Sequence, residues 1–343
     1  MQIIVINMKI CIYMPSKVTG ILNRIGEILR TMGIEYEMMS DNDDVECDLI
    51  MVVGKDGDVL SLFREFPDIN KPVLGVNITE KPGFLTETTI DSLREALGKV
   101  SQGAFSIQEI TKLSIFTEDF SAHAVNEVAI FPSKSASLME YELWIDKEFV
   151  WRDYSDGLIV STPIGSTAYA MSAGGVYISP NARVFEIVPV NSIDISRRPL
   201  IIPDTAIIEV RNVSSRFIPE IIVDGALRHK LRGDIVLMKA KNPAKFIKLG
   251  SSKSIHEKIL RKVQQASEIQ DLPPSAKFVL KILMYEGPLT QADIARKTML
   301  PARTVRYALS LLVRKGLVKE SVLLSRDARR KIYFLPSSEE ISR

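Results

Sequence analysis

Asp156-Gly-Leu-Ile-Val-Ser-Thr-Pro-Ile-Gly-Ser-Thr-Ala-Tyr-Ala-Met-Ser-Ala-Gly-Gly175 is the stretch on which the reading of this chain turns. Leu158 to Val160 is a short apolar run that fits a buried strand. It breaks at Thr162-Pro163-Ile164-Gly165, a turn of small and hydroxyl-bearing residues. Ser166 and Thr167, good helix N-caps, open a helical stretch from Ala168 to Ala173, and Gly174-Gly175 stops it. A strand, a hydroxyl-rich turn and a free helix N-terminus offer unpaired N–H groups to an anionic ligand. Asp156 adds a carboxylate that can accept hydrogen bonds from amide or ribose donors. The same residues also describe an ordinary capped strand–turn–helix, so spacing alone leaves both readings open.

The stretch closely resembles the D-G-x-x-x-x-T-P-x-G-S-T-A-Y-x-x-S-x-G-G signature of the NAD kinases, at nearly every defined position. That resemblance implies a dinucleotide held by Asp156, Thr162, Ser166, Thr167, Ala168, Tyr169 and Ser172.

The bulk properties are those of an ordinary globular chain: 343 residues, 46% hydrophobic and 25% charged. The length suits two or three domains. Two cysteines, Cys11 and Cys47, lie far apart in sequence without a CxxC pattern, which points to neither a disulfide framework nor a zinc site and fits a reducing cytoplasm. With three histidines, a histidine-rich metal site is not expected. No apolar run approaches the roughly 18 residues of a membrane span, and the N-terminus lacks the pattern of a signal peptide. The net charge of +2 is uneven: residues 271–343 hold 14 Lys and Arg against 7 Asp and Glu, leaving 30 against 35 in the remainder. A basic segment behind an acidic body suggests a separate polyanion-binding module.

The first hundred residues alternate strand and helix patterns. Met8 to Met14 reads as a strand, and Ile21, Ile25, Ile28 and Leu29 share a helical face that Gly33 closes. Ile34 to Met38 reads as a second strand and Asp41 to Glu46 as an acidic loop. Asp48 to Val53 reads as a buried strand, followed by a helix to Phe66 and a strand from Pro72 to Val76. This order predicts an α/β domain with a parallel sheet. Gly54-Lys55-Asp56-Gly57-Asp58 falls where a strand hands over to a helix, the place where α/β sheets bind ligands. By itself it is also a plausible polar surface turn. Beside the longer match it resembles the G-G-D-G-T motif of the NAD kinases and related lipid kinases, with Lys55 for the second glycine and Asp58 for the threonine. The resemblance implies that Asp56 is the base for a ribose 2′-hydroxyl and that Gly54, Lys55 and Gly57 hold ATP phosphates. Gly75-Val-Asn77 and Gly83 to Glu87 resemble the family's G-x-N-x-G-x-L-G-F-L-T stretch, with a longer gap and Thr79 in place of a glycine. Thr88 to Val100 reads as a helix capped by Thr88 or Thr89.

From Phe105 the pattern changes. Ile107 to Phe116, Val125 to Phe131, Leu138 to Ile145 and Ile202 to Asn212 read as strands separated by turns, which predicts a mostly antiparallel β domain over 105–236. The α/β domain then spans 1–104, completed by about 237–264. Ala124 to Val128 resembles the A-x-N-E-V motif, whose Asn and Glu contact the dinucleotide, so the resemblance assigns that role to Asn126 and Glu127. Tyr154 stands where bacterial relatives carry an arginine. Val188 to Pro203 resembles P-x-x-P-H-S-L-S-x-R-P-L, with Ile193-Asp194 in place of His-Ser. Ile222 to Gly225 matches the V-D-G turn and brings Asp224 into the dinucleotide set. Ile255 to Val263 reads as a helix returning to the first domain. The resemblance covers about residues 8 to 264.

Residues 265–274 read as a polar, proline-ended linker. Over 275–336, Ala276, Val279, Leu280 and Leu283 form one apolar helical face. Thr290 caps a short helix, and a third helix from Pro301 turns Val305, Ala308, Leu309 and Leu312 inward. A strand, a basic loop from Ser325 to Arg330 and a second strand follow. This resembles a winged helix-turn-helix domain, which implies DNA contacts from Arg303 and Arg306 on the helix and Arg329 and Arg330 on the wing. A small protein-contact domain is the alternative. No G-x-G-x-x-G, Walker loop, H-E-x-x-H or G-x-S-x-G occurs, which excludes the fingerprints of Rossmann dehydrogenases, P-loop kinases, zinc proteases and α/β-hydrolases.

Together these resemblances imply an α/β domain, a mostly-β domain and a small α+β winged-helix domain. They imply a cytoplasmic enzyme that moves the γ-phosphoryl of ATP, or of polyphosphate, to the adenosine 2′-hydroxyl of NAD. Mg²⁺ arrives with the nucleotide, no dedicated metal site is expected, and the partners are small nucleotides, DNA and further copies of the chain in a homodimer or homotetramer. The alternative is a transcription regulator whose kinase-like body senses NAD or NADP without turnover.

Overall fold

The structure, a computed structural model, describes residues 8–15, 19–39, 46–79, 82–134, 137–250, 272–286, 288–325 and 328–335, with backbone only at 19, 284–286, 322–325 and 328–330. The acidic loop up to residue 45, the returning helix at 255–263 and most of the linker at 265–274 lie outside the described residues. The chain divides into two compact units, Met1–Ser252 and Lys253–Arg343.

The first unit begins with β1 (Lys9–Tyr13), α1 (Thr19–Thr31), β2 (Glu35–Met38), β3 (Leu49–Gly54), α2 (Asp56–Glu65), β4 (Val73–Asn77), β5 (Thr88–Thr89), α3 (Leu93–Ser101) and β6 (Ser106–Ile110). It continues through β7 (Leu113–Phe116), β8 (Ser121–Ala124), β9 (Glu127–Pro132), β10 (Met139–Ile145), β11 (Glu148–Ser155) and β12 (Gly157–Ser161). One turn of helix, α4 (Tyr169–Ser172), precedes β13 (Val184–Val190), β14 (Leu200–Pro203), β15 (Ile208–Ser215), β16 (Pro219–Val223), β17 (Leu227–Lys230), β18 (Ile235–Lys239) and β19 (Ala244–Lys248).

The first sheet has the order β2-β1-β3-β4-β19-β6, with β5 on β4. It is parallel except where β19 meets β6. Every residue of β3 is buried because helices cover both faces. Met51 and Val53 pack with Ile25, Leu29, Leu93 and Leu97 on one side, and Ile50 and Val52 with Val59, Leu62 and Phe63 on the other. Cys11 and Cys47, distant in sequence, are brought together on the second face, where both are buried and free and Cys11 Sγ donates to Glu37 Oε1 at 3.4 Å.

Two further sheets, β11-β10-β15-β18-β7-β8 and β14-β13-β12-β9-β16-β17, face each other as an antiparallel sandwich. Alternate residues fill its core: Tyr141 and Leu143 from one sheet, Val128, Ile130, Leu158 and Val160 from the other. The intervening Ala129, Ile159 and Val188 face outward and are covered by Ala170 of α4. Strand β12 is therefore buried on both faces, which is why Leu158 to Val160 reads as a continuous apolar run.

Five local expectations are corrected. Thr88 and Thr89 do not cap a helix; they pair with Val76 and Asn77 as β5, and α3 starts at Leu93. Ile107 to Phe116 is not one strand: β6 belongs to the first sheet and β7 to the sandwich, so the chain crosses between them at Thr111-Lys112. Ile202 to Asn212 likewise splits into β14 and β15 around a turn. The helix at Ala168 to Ala173 shrinks to the four residues of α4, preceded by a 3₁₀ turn at Gly165–Thr167. Ser166 and Thr167 do not cap it, because their hydroxyls donate back to the Pro163 and Ile164 carbonyls at 2.7 and 3.2 Å. Arg329 and Arg330 lie in a strand, paired with Leu324 and Leu323, and not in a loop.

The second unit contains α5 (Pro274–Glu286), β20 (Leu289–Thr290), α6 (Gln291–Thr298), α7 (Ala302–Arg314), β21 (Lys319–Ser325) and β22 (Ala328–Phe334). The strands form the sheet β20-β22-β21. The apolar faces read from the sequence build its core, where Ala276, Val279, Leu280 and Leu283 meet Val305, Ala308, Leu309 and Leu312. Thr290 caps α6 by accepting the Asp293 N–H at 3.2 Å.

Candidate active site

The β3–α2 turn is built by two aspartates. Asp58 at the third position of α2 accepts the Lys55 N–H at 2.7 Å, the return half of an N-terminal capping box. A Cβ on Gly54 would run into that carboxylate, so the position needs glycine. Lys55 has no such need. Its backbone is extended, at φ −97° and ψ 179°, and its side chain is exposed. Asp56 reaches away from its helix. Its Oδ2 accepts Phe84 N–H at 2.7 Å, and its Oδ1 accepts those of Leu85 and Thr86 at 3.0 and 3.2 Å. Gly83 lacks room for a Cβ because the Asp56 carboxylate fills it, whereas Gly57 faces open space. Asn77 braces the same loop, donating to Thr86 Oγ1 at 3.1 Å and accepting Thr79 N–H at 2.9 Å.

The Asn126-Glu127 pair is fixed through its backbone. Asp224 accepts the N–H groups of Val125, Asn126 and Glu127. Thr162 donates its hydroxyl to Val125 O at 2.6 Å and its N–H to Asn126 O at 2.9 Å. Gly165 lies so close to the Asn126 carbonyl that no Cβ fits. Asn126 is half-buried and Glu127 is buried.

Beyond this frame, Tyr169 is 43% exposed and stacks on Phe131, with centroids 5.8 Å apart and rings 24° from parallel. Burial, then the charges of Glu127 and Asp156, raises its phenol pKa, so those carboxylates lie within its field. Asp156 Oδ2 accepts from Asn191 Nδ2 at 2.8 Å. Ala168 is half-buried and Ser172 exposed. Thr162, Ser166 and Thr167 are buried, and Ser166 spends its hydroxyl on Pro163 O and the Ile178 N–H. Glu186 on β13 accepts the Val176 N–H at 2.5 Å and so anchors the chain just after Gly174-Gly175.

Apolar side chains draw the three stretches together. Leu85 from the Asp56 loop, Val125 beside Asn126 and Ile164 of the Thr-Pro-Ile-Gly turn share one buried cluster with Val59 and Leu62 of α2. Sequence reasoning missed Phe131, Asn191 and Glu186. Only Phe131 left a trace, since it shares the parity of Ala129 along β9 and so belongs to the outer face.

In the second unit Arg303, Arg306 and Tyr307 are exposed along α7. The side chains of Arg329 and Arg330 lie outside the described residues, as does Arg326.

A parallel α/β sheet joined to a β-sandwich, with glycine turns and fixed backbone segments at their junction, defines a nucleotide-handling enzyme body. Residues 4–105 match the ATP-NAD kinase N-terminal domain, residues 125–249 the ATP-NAD kinase C-terminal domain, and residues 270–330 the MarR family. The NAD kinase of Methanothermobacter thermautotrophicus is 30% identical over 264 residues, covering 72% of this chain and 92% of that one. The NAD kinase of Methanopyrus kandleri is 35% identical over 219 residues, 63% of this chain and 79% of that one. The crystal structure of an NAD kinase from Archaeoglobus fulgidus in complex with ATP superposes with a TM-score of 0.64 at 27% identity, covering 75% of this chain and 99% of that one. The chain belongs to the NAD kinase family and carries, in addition, a MarR-like winged helix.

Proposed function

We propose that this NAD kinase transfers the γ-phosphoryl of ATP, or a terminal phosphoryl of polyphosphate, to the 2′-hydroxyl of the adenosine ribose of NAD. The observation that carries this reading is the shared cluster of Leu85, Val125 and Ile164, which gathers the loop held by Asp56, the Asn126-Glu127 pair and the Thr162–Ser172 segment around one place. Phosphoryl transfer asks the protein chiefly for alignment and charge neutralisation. Three N–H groups occupy most of the roughly four lone-pair positions of the Asp56 carboxylate. What remains suits orienting the 2′-hydroxyl and receiving its proton. The exposed Lys55 supplies a point charge for donor phosphates. Asn126, Asp156, Ala168, Tyr169 and Ser172 are accessible to the dinucleotide; Thr162, Ser166, Thr167 and Asp224 act by fixing the backbone.

Among the described residues no three His, Cys, Asp or Glu side chains converge as a metal cage, and Asp58 is engaged by the Lys55 N–H. In this reading Mg²⁺ enters as part of the Mg·ATP substrate. The MarR-like unit binds duplex DNA through α7, with the hairpin of β21 and β22 as its wing. Ile193 and Ile195, 61% and 89% exposed, favour a contact between copies in a homodimer or homotetramer. The buried, unbridged Cys11 and Cys47 suit a reducing cytoplasm. Among the described residues no helix is long and apolar enough to cross a membrane. The direct test is NADP formation from NAD, ATP and Mg²⁺ by the purified chain. NAD bound without turnover, whatever the donor, overturns the transfer and leaves an NAD-sensing regulator.

A further inference from the structure

Asp224 follows β16 in the left-handed region, at φ 48°, with Gly225 behind it at φ 68°. Positive φ at both residues is the ordinary geometry of an Asp-Gly hairpin turn, closed by the Ala226 N–H on the Val223 carbonyl at 3.0 Å. Here it turns the carboxylate back onto the start of β9. Oδ2 accepts the Val125 N–H at 3.1 Å; Oδ1 accepts those of Asn126 and Glu127 at 2.7 and 3.2 Å. The Asp224 N–H returns a bond to the Glu127 carbonyl at 3.0 Å. Together with Thr162, Asp224 fixes the backbone from Val125 to Glu127 on both its donor and its acceptor sides. The half-buried amide of Asn126 makes no hydrogen bond of its own among the described residues, and this frame fixes the backbone that carries it.

We propose that Asp224 is the positioning residue of the dinucleotide site: it touches no ligand, and its ionised carboxylate sets how Asn126 and Glu127 are presented. The proposal rests on the reading of those two residues as dinucleotide contacts. Three convergent N–H donors need an acceptor with two bare oxygens. A protonated carboxyl, or an amide, turns one oxygen into a donor that faces donors. Burial pushes the Asp224 carboxyl up to about 6, against the pull of the three N–H groups and of Arg64 on α2. Arg64 and, along β9, Glu127 are its charged neighbours. Below about pH 6 the protonated carboxyl keeps one bare oxygen, so the Asn126-Glu127 segment is presented differently while the Asp56 loop, held by a different carboxylate, keeps its place.

The experiment uses the full chain with Asp224→Asn and Asp224→Glu. Backbone amide exchange is followed over residues 124–128, and steady-state constants are measured for both substrates. In Asp224→Asn the three amides should exchange about tenfold faster or more, and KM for NAD should rise about tenfold while KM for ATP stays within about twofold. The acid limb of kcat/KM for NAD near pH 6 should vanish in that variant, and Asp224→Glu, which keeps the charge, should recover part of the NAD affinity. Unchanged exchange in a folded Asp224→Asn, or equal rises in both KM values, overturns the proposal. The parent's own amides decide the matter where a variant does not fold. The chemical shifts of the 125–127 amides must move together with a midpoint near pH 6 as the Asp224 carboxyl takes up its proton, and shifts that stay constant from about pH 7.5 to about pH 5 overturn the proposal. If the parent makes no NADP, the kinase reading falls, and the exchange measurement still judges Asp224.

Discussion

Asp56 Oδ2 accepts the backbone N–H of Phe84 at 2.7 Å, joining the first turn of α2 to a loop 28 residues further on. Leu85 and Thr86 complete the set. The carboxylate at the expected place of the hydroxyl's proton acceptor is thus also a structural tie. Asp56→Asn should lower kcat by roughly 10²–10⁴-fold, the usual worth of a positioned acid or base. It should also lower the melting temperature, since an amide group would face an N–H. Affinity for NAD, measured by calorimetry, should change little. A variant of full activity would remove Asp56 from the chemistry.

The turn before it separates two kinds of departure from the family pattern. Gly54→Ala should disrupt the start of α2, because the new methyl group meets the Asp58 carboxylate. Asp58→Ala should cost about 0.5–2 kcal/mol of stability, the range for losing a helix cap. Lys55→Gly relieves no strain, as Lys55 already sits in extended backbone. It should raise KM for ATP without improving kcat. Improved turnover in Lys55→Gly would mean that the lysine obstructs the phosphates.

Much of this was legible in the sequence because one period or one signature carried it. The buried run of β3, the helical faces of α1 and α7, and the 156–175 signature all rest on neighbouring residues. What sequence could not give was pairing over distance. Ser106–Ile110 reads as part of a longer strand because nothing local says that Ala244–Lys248 returns beside it. Asp224 reads as a ligand contact because nothing local says that its carboxylate meets the amides of Val125 to Glu127, nearly a hundred residues away. Cys11 and Cys47 look unrelated until β1 and β3 pair. The hydroxyls of Ser166 and Thr167 were readable as caps or as back-bonding groups, and only the 3₁₀ turn decides between them.

Lys112, at the crossing from the first sheet to the sandwich, is 1% exposed. Its ammonium donates to the Pro67 carbonyl at 2.7 Å and lies 5.5 Å from the Phe63 ring centroid. Burial pushes its pKa down to about 8, from 10.5 for the free side chain. The folded chain therefore binds fewer protons than the unfolded one between those values, and stability should rise with pH across that window. Below it the full cost of charging the buried amine is present. Lys112→Met should exceed the parent in stability by about 1 kcal/mol near neutral pH, with the gap closing toward pH 10. Parallel melting curves of parent and variant at both ends of the window test this. A gap independent of pH would mean that the lysine titrates normally.

The last prediction concerns the second unit. Arg303, Arg306 and Tyr307 line the exposed side of α7, opposite Val305, Ala308 and Leu309 in the core. A winged helix lays such a helix in the major groove, its N-terminal residues nearest the bases. The full chain should bind duplex DNA with an affinity that falls steeply as salt rises, because each phosphate contact releases counterions. Arg303→Ala and Arg306→Ala should each weaken binding. Where the arginine meets a phosphate, the slope of log affinity against log salt should shrink by about 1; where it meets a base, discrimination between sequences should drop instead. Both substitutions are on an exposed face, so the melting temperature should hold and serve as the control. If no duplex is retained at low salt, or both variants bind as the parent does, α7 meets another protein, and the basic charge of residues 271–343 serves that contact.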